Sequence, residues 1–411
     1  MNPYYLGIDL GTTNFKAGIF DQNRRLLGLG RLKTTKISDG TTCELPVSVF
    51  WETLHGCVSE AVMQAQIDVK DIVSVGYASQ ANSFILLDAN NEAITPLILW
   101  PDNRAKGLKI PLPEHFTERT GIGVMPDHQF AIAKLLWFQR LQPELWTQTA
   151  KVLSVSAYLT YSLTGLLTDD YGTASMTGMF DQSTTDWWDE MLAMLNIGRE
   201  LLPSLARTGT PSGRLTASGA EKIGILPGTR FFTGGLDHHI AAVGAGIIGS
   251  GRLCESTGTV LACVDYTSDY QPQCDVCVAP GLSEGRFFRM TFDDNGASVL
   301  EKYQKDNAPD LTIPELLHEA EAFAEGIANR HGEKVMKILV STAQNLASLA
   351  KRLKNTSEGL DFVSTGGGSR SPLWIKIKSE TLNSTFYTPE QPEVACLGAT
   401  IIAGAGCHTQ S

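Results

Sequence analysis

A chain of 411 residues, 43% of them hydrophobic, has enough apolar material for two or three domains with sizeable cores. Its net charge of -11 comes without any Lys/Arg block or aromatic-basic interleaving, which argues against nucleic-acid or anionic-membrane partners and for small molecules. Apolar runs such as IAAVGAGII are too short to span a bilayer, and the first strand begins too early to leave room for a signal peptide. The eight cysteines (Cys43, Cys57, Cys254, Cys263, Cys274, Cys277, Cys396 and Cys407) are too sparse for a disulfide scaffold, so a cytoplasmic setting is expected.

Residues 4–21, YYLGIDLGTTNFKAGIFD, read as two apolar strands around a Gly-Thr-Thr turn. Asp9 is suited to hold a hydrated divalent cation, and Gly11 lets backbone approach a phosphate. Thr12 and Thr13 offer hydroxyl donors, and Lys16 adds a positive charge. An ordinary hairpin with a Gly-Thr turn accounts for the same residues. Further strands are expected at 72–79 (IVSVGYAS) and 93–100 (AITPLILW). Helical spacing recurs in 49–65, 130–141, 156–165 and 187–197, giving an α/β alternation. Residues 202–229 turn to Pro, Gly, Ser and Thr, a loop-rich return toward the sheet.

The second half echoes the first. GRLCESTGTVLACVDY, at 251–266, repeats the layout of strand, Gly-Thr turn at Gly258 and Thr259, and strand, which suggests duplication; two unrelated hairpins are the alternative. HIAAVGAGI (239–247) and CLGATIIAGAG (396–406) are small-residue runs that look helical despite their glycines, as expected where two helices cross closely, one from each half, at a hinge. Residues 359–383 read as a strand, Gly366, Gly367 and Gly368, and a helix opening at Ser-Arg-Ser-Pro. Backbone freed of side chains next to a helix N-terminus can receive a ring or phosphate, although a tight connection has the same signature. Cys274 and Cys277 have CxxC spacing without a second ligand pair, so zinc or redox chemistry competes with plain packing.

Strand-DxGTT-strand, the segment TGGLDHHIAAVGAG, the second Gly-Thr turn, the GGG loop and the final LGATIIAG helix follow one another in this order. Together with YASQANSFILLD, LILWPDNRA and YLTYSLTGLLTDDYGTASMTGMFD, they resemble the FGGY family of carbohydrate kinases over residues 4–406. The resemblance implies an α/β fold of two ribonuclease-H-like (actin-like ATPase) domains with an interdomain cleft, divided here at 1–248 and 249–411. The implied activity is ATP-dependent phosphorylation of a terminal hydroxyl on a small ketose or polyol, with ATP and Mg2+ required. Asp9 would engage Mg2+ through water, and Gly11, Thr12, Thr13 and Lys16 would sit at the transferring phosphate. Gly258 and Thr259 would form the second phosphate loop, and Gly366 to Gly368 would face adenosine. Asp237 would be the general base, a role that competes with that of a helix N-cap. Gln80, Ala81, Asn82, Trp100, Asp102 and Arg104 would line the sugar site, while Trp100 as core and Asp102 with Arg104 as a structural pair are the alternatives. Asp170 is read as a turn residue.

His238 and His239 stand where many relatives carry an amide or small polar residue, which makes His238 a candidate hydroxyl partner for the sugar and His239 a packing residue. In a helix's first turn both should tend to be neutral. The region 280–345 looks abbreviated relative to the family, so assembly is left open, a homodimer included. A catalytically weak or inactive sugar or nucleotide sensor and an Hsp70- or actin-like ATPase are the competing function classes. The sequence does not choose among xylulose, ribulose, fuculose, glycerol and other polyols.

Overall fold

The first two strands, Tyr4–Leu10 and Asn14–Phe20, are almost wholly buried and pair antiparallel, so that Asp9 stands directly opposite Lys16. The structure, a computed structural model, describes residues 3–405; Cys407 and the end of the 396–406 run lie outside them. By contact the chain forms two units. One holds the described residues up to Gly244, Ser268–Phe287 and the residues from Glu393; the other holds Ala245–Thr267 and Phe288–Pro392.

In the first unit a third strand, Leu26–Lys33, extends the antiparallel meander. Ile72–Ser79 then joins parallel to Tyr4–Leu10, and Arg230–Phe232 joins parallel to Ile72–Ser79. The strands thus lie in the order third, second, first, fourth, fifth. In the second unit Leu253–Thr257, Leu261–Thr267, Phe287–Asp293, Asp361–Thr365 and Thr385–Tyr387 follow the same order, again with the fourth parallel to the first and the fifth parallel to the fourth. Two sheets of one topology carry the expected duplication further than the echo of two hairpins, because five strands now agree in order, and the first, second, fourth and fifth also in direction.

Both faces of the first sheet are covered, which explains its continuous apolar runs. The helix Val47–Ala65 packs on the second and third strands, and the helix Val394–Ala405 packs on the first and fourth. Residues 80–229 intervene between the fourth and fifth strands; their strands Leu97–Ile98, Phe84–Leu87 and Lys151–Ser154 join Ile37–Ser38 and Cys43–Leu45, which precede the fourth strand, in a smaller sheet. Only Leu97–Ile98 of the expected strand at 93–100 is regular. Pro96 has no N-H for a ladder, and the Thr95 hydroxyl instead accepts from the Leu86 N-H at 3.1 Å.

The helices Asp237–Gly244 and Val394–Ala405 cross at contact distance, as their small residues suggested, although both belong to the first unit rather than one to each half. A Cβ on Gly244 would meet the Val394 carbonyl oxygen at 1.9 Å, and one on Gly398 would meet the Ile240 carbonyl oxygen at 1.9 Å. Backbone lies against backbone there, with no flexible side chain to yield. Gly398→Val should therefore cost about 1–3 kcal/mol or more. Urea denaturation reads this, and an unchanged midpoint would mean that the helices do not approach so closely.

Candidate active site

The Gly-Thr-Thr turn leaves a first strand whose last polar residue is Asp9, 6% exposed. Lys16 lies 3.1 Å from Asp9 Oδ2 and 3.0 Å from Glu393 Oε2. Burial acts to lower the Lys16 pKa, but the Asp9 and Glu393 carboxylates outweigh it and hold it above the ordinary lysine value. Lys16 is thus a fixed cation at the turn. Glu393 was not singled out from the sequence, because its partner lies at the other end of the chain.

Asp237 opens its helix, and the His238 N-H donates to its Oδ1 at 2.8 Å, so the carboxylate serves the helix start while remaining partly exposed. Withdrawal from water raises its pKa above the ordinary carboxylate value. His238 opposes that shift, Asp9 adds to it, and Lys16 opposes it. Asp237, Asp9 and Lys16 therefore feel one another's charge. His239 is buried, and burial pushes it down to about 3, so it is neutral and packed as expected.

The segments after Ser79 and around Trp100 converge on the same turn. Trp100 Nε1 donates to Thr12 Oγ1 at 2.6 Å, and Thr12 Oγ1 donates to Gln80 Oε1 at 3.3 Å. Gln80 is buried; Ser83 Oγ donates to its Oε1 at 3.0 Å, and its Nε2 reaches the Leu10 carbonyl at 3.4 Å. Its amide is thus committed to protein partners. Asn82 has φ of 58°, and its Oδ1 accepts from the Ala131 N-H at 3.0 Å, at the start of the helix Ala131–Leu141. Ala81, Asn82, Trp100 and His238 keep partial exposure, and Thr13 is exposed.

Asp102 and Arg104 adopt the structural alternative. Asp102 is fully buried; it accepts from the Cys43 N-H at 2.6 Å and from Arg104 Nε at 2.7 Å, while Arg104 also pairs with Glu44. With both groups committed, they brace the Trp100 segment from beneath rather than presenting atoms to a ligand. Asp170 caps the short helix Tyr171–Ser175 through the Thr173 N-H at 2.6 Å and receives the Tyr77 hydroxyl at 3.3 Å.

In the second unit Gly258 accepts from the Ala297 N-H at 2.6 Å, and Thr259 is exposed. Gly366 has φ of 77°, Gly366 and Gly367 are exposed, and a Cβ on Gly366 would meet the Thr257 carbonyl oxygen at 2.9 Å. Beneath both loops lies a buried ion pair that the sequence reading missed. Lys378 Nζ stands 2.6 Å from Glu255 Oε1 and 2.7 Å from Thr257 Oγ1, and Ser364 also donates to Glu255. A cavity of about 300 Å³ lies between the helices Ser298–Asn307 and Gly332–Lys354, lined by Val299, Tyr303, Ile338 and Thr342 among others. Of the CxxC pair, Cys274 is exposed and Cys277 is buried in the strand Cys277–Pro280, where burial pushes its thiol up to about 12.

Removing one partner of a buried ion pair strands the other. Asp102→Ala should cost about 3–5 kcal/mol, read as a shift of the denaturant midpoint. A change within error would mean that Arg104 and Cys43 find other partners.

No helix among the described residues is long and apolar enough to cross a membrane. A family model described as the FGGY family of carbohydrate kinases, N-terminal domain, matches residues 4–244. The chain is 24% identical to a xylulose kinase of Bacillus subtilis over 443 residues, covering 98% of this chain and 88% of the relative. It is 27% identical to a gluconokinase of the same organism over 457 residues, covering 98% and 87%. Its architecture matches a solved xylulose kinase from Lactobacillus acidophilus with a TM-score of 0.85 at 21% identity, covering 99% of this chain and 90% of that one. The repeated sheet topology and the family match over residues 4–244 lead to one conclusion: the chain belongs to the FGGY family of carbohydrate kinases, enzymes built on two actin-like ATPase domains.

Proposed function

We propose that this kinase transfers the γ-phosphoryl group of ATP to a terminal hydroxyl of a small ketose or polyol, with Asp237 as general base. The observation that carries the reading is Asp237 itself, a partly exposed carboxylate at a helix start whose pKa responds to both Asp9 and Lys16. The attacking hydroxyl gives its proton to Asp237 as its oxygen bonds to phosphorus, and the bond to the ADP oxygen breaks. In a loose transition state the carboxylate aims the oxygen as much as it takes the proton. Thr13 and the backbone at Gly11 would receive the phosphoryl oxygens, and Lys16 would offset their charge. Thr12, already bonded to Trp100 and Gln80, holds the turn in place. Gly258, Thr259 and Gly366 to Gly368 serve the nucleotide. Asn82, Trp100 and His238, with Ala81 beside them, are the proposed sugar contacts.

Mg2+ is expected with ATP. Among the described residues no three His, Cys, Asp or Glu side chains gather into a metal cage, and Lys16 engages only Oδ2 of Asp9. That donor set suits the mode in which Mg2+ takes one carboxylate, water and substrate phosphates. When bound, the ion neutralises charge on the phosphates. The cysteines among the described residues are free thiols, all but Cys274 buried, which suits a reducing, cytoplasmic setting.

An ADP-release assay over a panel of ketoses, polyols and aldonates tests the reading; absence of turnover with every member by folded protein would overturn it and favour a sensor. Asp237→Ala should lower kcat by about 10²- to 10⁴-fold while ATP still binds. Because Asp237 must be ionised to accept a proton, activity should fall as pH drops through its raised pKa, above the usual carboxylate range. Asp9 contributes to that elevation, so in Asp9→Asn the acid limb of the residual activity should move to lower pH. An unmoved limb would assign the ionisation to another group.

A further inference from the structure

Lys134 lies within the apolar run FAIAKLLWF of the helix Ala131–Leu141 and is fully buried. It makes no ion pair among the described residues. Its ammonium instead donates to three main-chain carbonyls, those of Asn82 at 2.9 Å, Leu99 at 3.1 Å and Trp100 at 3.3 Å. Burying a cation without a counter-ion is costly, and a methionine would fill a similar volume without that cost. Packing therefore does not account for a lysine here, whereas the position of its acceptors does.

The three carbonyls come from two segments, one at Asn82 and the other at Leu99 and Trp100, that flank the paired strands Phe84–Leu87 and Leu97–Ile98, and both lie well before Lys134 in sequence. Each segment is also tied elsewhere. Asn82 accepts from the Ala131 N-H in the first turn of the same helix, and Trp100 donates to Thr12, which donates to Gln80. The result is a closed circuit from Lys134 through Trp100, Thr12 and the Gln80–Asn82 backbone to Lys134 again. We propose that Lys134 is a positioning residue that sets the spacing of Asn82 and Trp100 against the Gly-Thr-Thr turn, and thereby aligns the acceptor sugar without touching it. This rests on the proposed sugar contacts of Asn82 and Trp100.

The protonation state gives the device a signature. Burial pushes Lys134 down to about 7; of the titratable groups around it, Asp102, Cys43 and Asp127 act to raise it and Arg104 to lower it. The ammonium has three N-H donors for three carbonyls, whereas the neutral amine has two and turns a lone pair toward the third. Sugar affinity should weaken as pH rises through neutrality, while ATP affinity should not follow it.

Steady-state kinetics of the full chain test this with the best sugar from the panel. In K134M and K134Q the sugar KM should rise about tenfold or more with the ATP KM within about twofold. The rise of wild-type sugar KM with pH should be flattened in both variants. Equal changes in the two KM values, or a sugar KM near wild type in a folded variant, would overturn the proposal. If neither variant folds, a wild-type sugar KM that is flat across neutrality overturns it, and a rise supports it. N82A separates the two levels: an unchanged sugar KM there would remove the sugar-site reading itself, whereas a raised one with unaffected K134M and K134Q would remove only the role of Lys134.

Discussion

Lys16 answers two carboxylates at once, and the order of the first unit follows from that contact. It stands opposite Asp9 across the first hairpin and also holds Glu393, the residue before the helix Val394–Ala405. One cation between two acids leaves a net negative charge beside the turn, and in low dielectric the loss of Lys16 would strand both carboxylates. The ion pair therefore fastens the last helix to the first strand. That helix in turn receives Asp237–Gly244 at a crossing so tight that carbonyl oxygens occupy the places of side chains. The position of Asp237 is inherited from Lys16 through two helices.

The loops proposed to carry the chemistry share a construction. Each is exposed on one side and tied from beneath by a buried polar group: Asp102 and Arg104 below the Trp100 segment, Lys134 below Asn82 and Trp100, and Lys378 with Glu255 below the two glycine-bearing loops. Asp169 and Asp170 do the same near Tyr77, with Ser154, Ser156 and Thr173 as partners, and burial raises both carboxyls. Such groups are weak contributors to net stability when compared with apolar packing. Their directional bonds nonetheless restrict loop geometry, and phosphoryl transfer depends on alignment.

The same construction accounts for a division within the candidate sugar residues. Gln80, Asp102 and Arg104 lie beside Asn82 and Trp100 in sequence, yet their polar atoms are consumed by Leu10, Ser83, Cys43 and Glu44. Neighbouring residues of similar polarity can thus belong to the binding surface or to its support. Burial of the individual side chain decides which.

The sequence by itself determined the local patterns. Apolar runs broken by Gly-Thr turns specified strands, three-four spacing specified the helices, and small residues at 239–247 and 396–406 marked two helices able to approach another closely, since each depends on residues within a few positions of one another. Tertiary structure alone decided the pairings over long separations. Glu393 meets Lys16, Lys134 meets Leu99 and Asn82, and Lys378 meets Glu255 only after folding. A lysine in an apolar helix carries no mark of its acceptors in its own neighbourhood. Whether it is a surface charge, a ligand or a buried brace depends on which backbone carbonyls the fold brings to its tip.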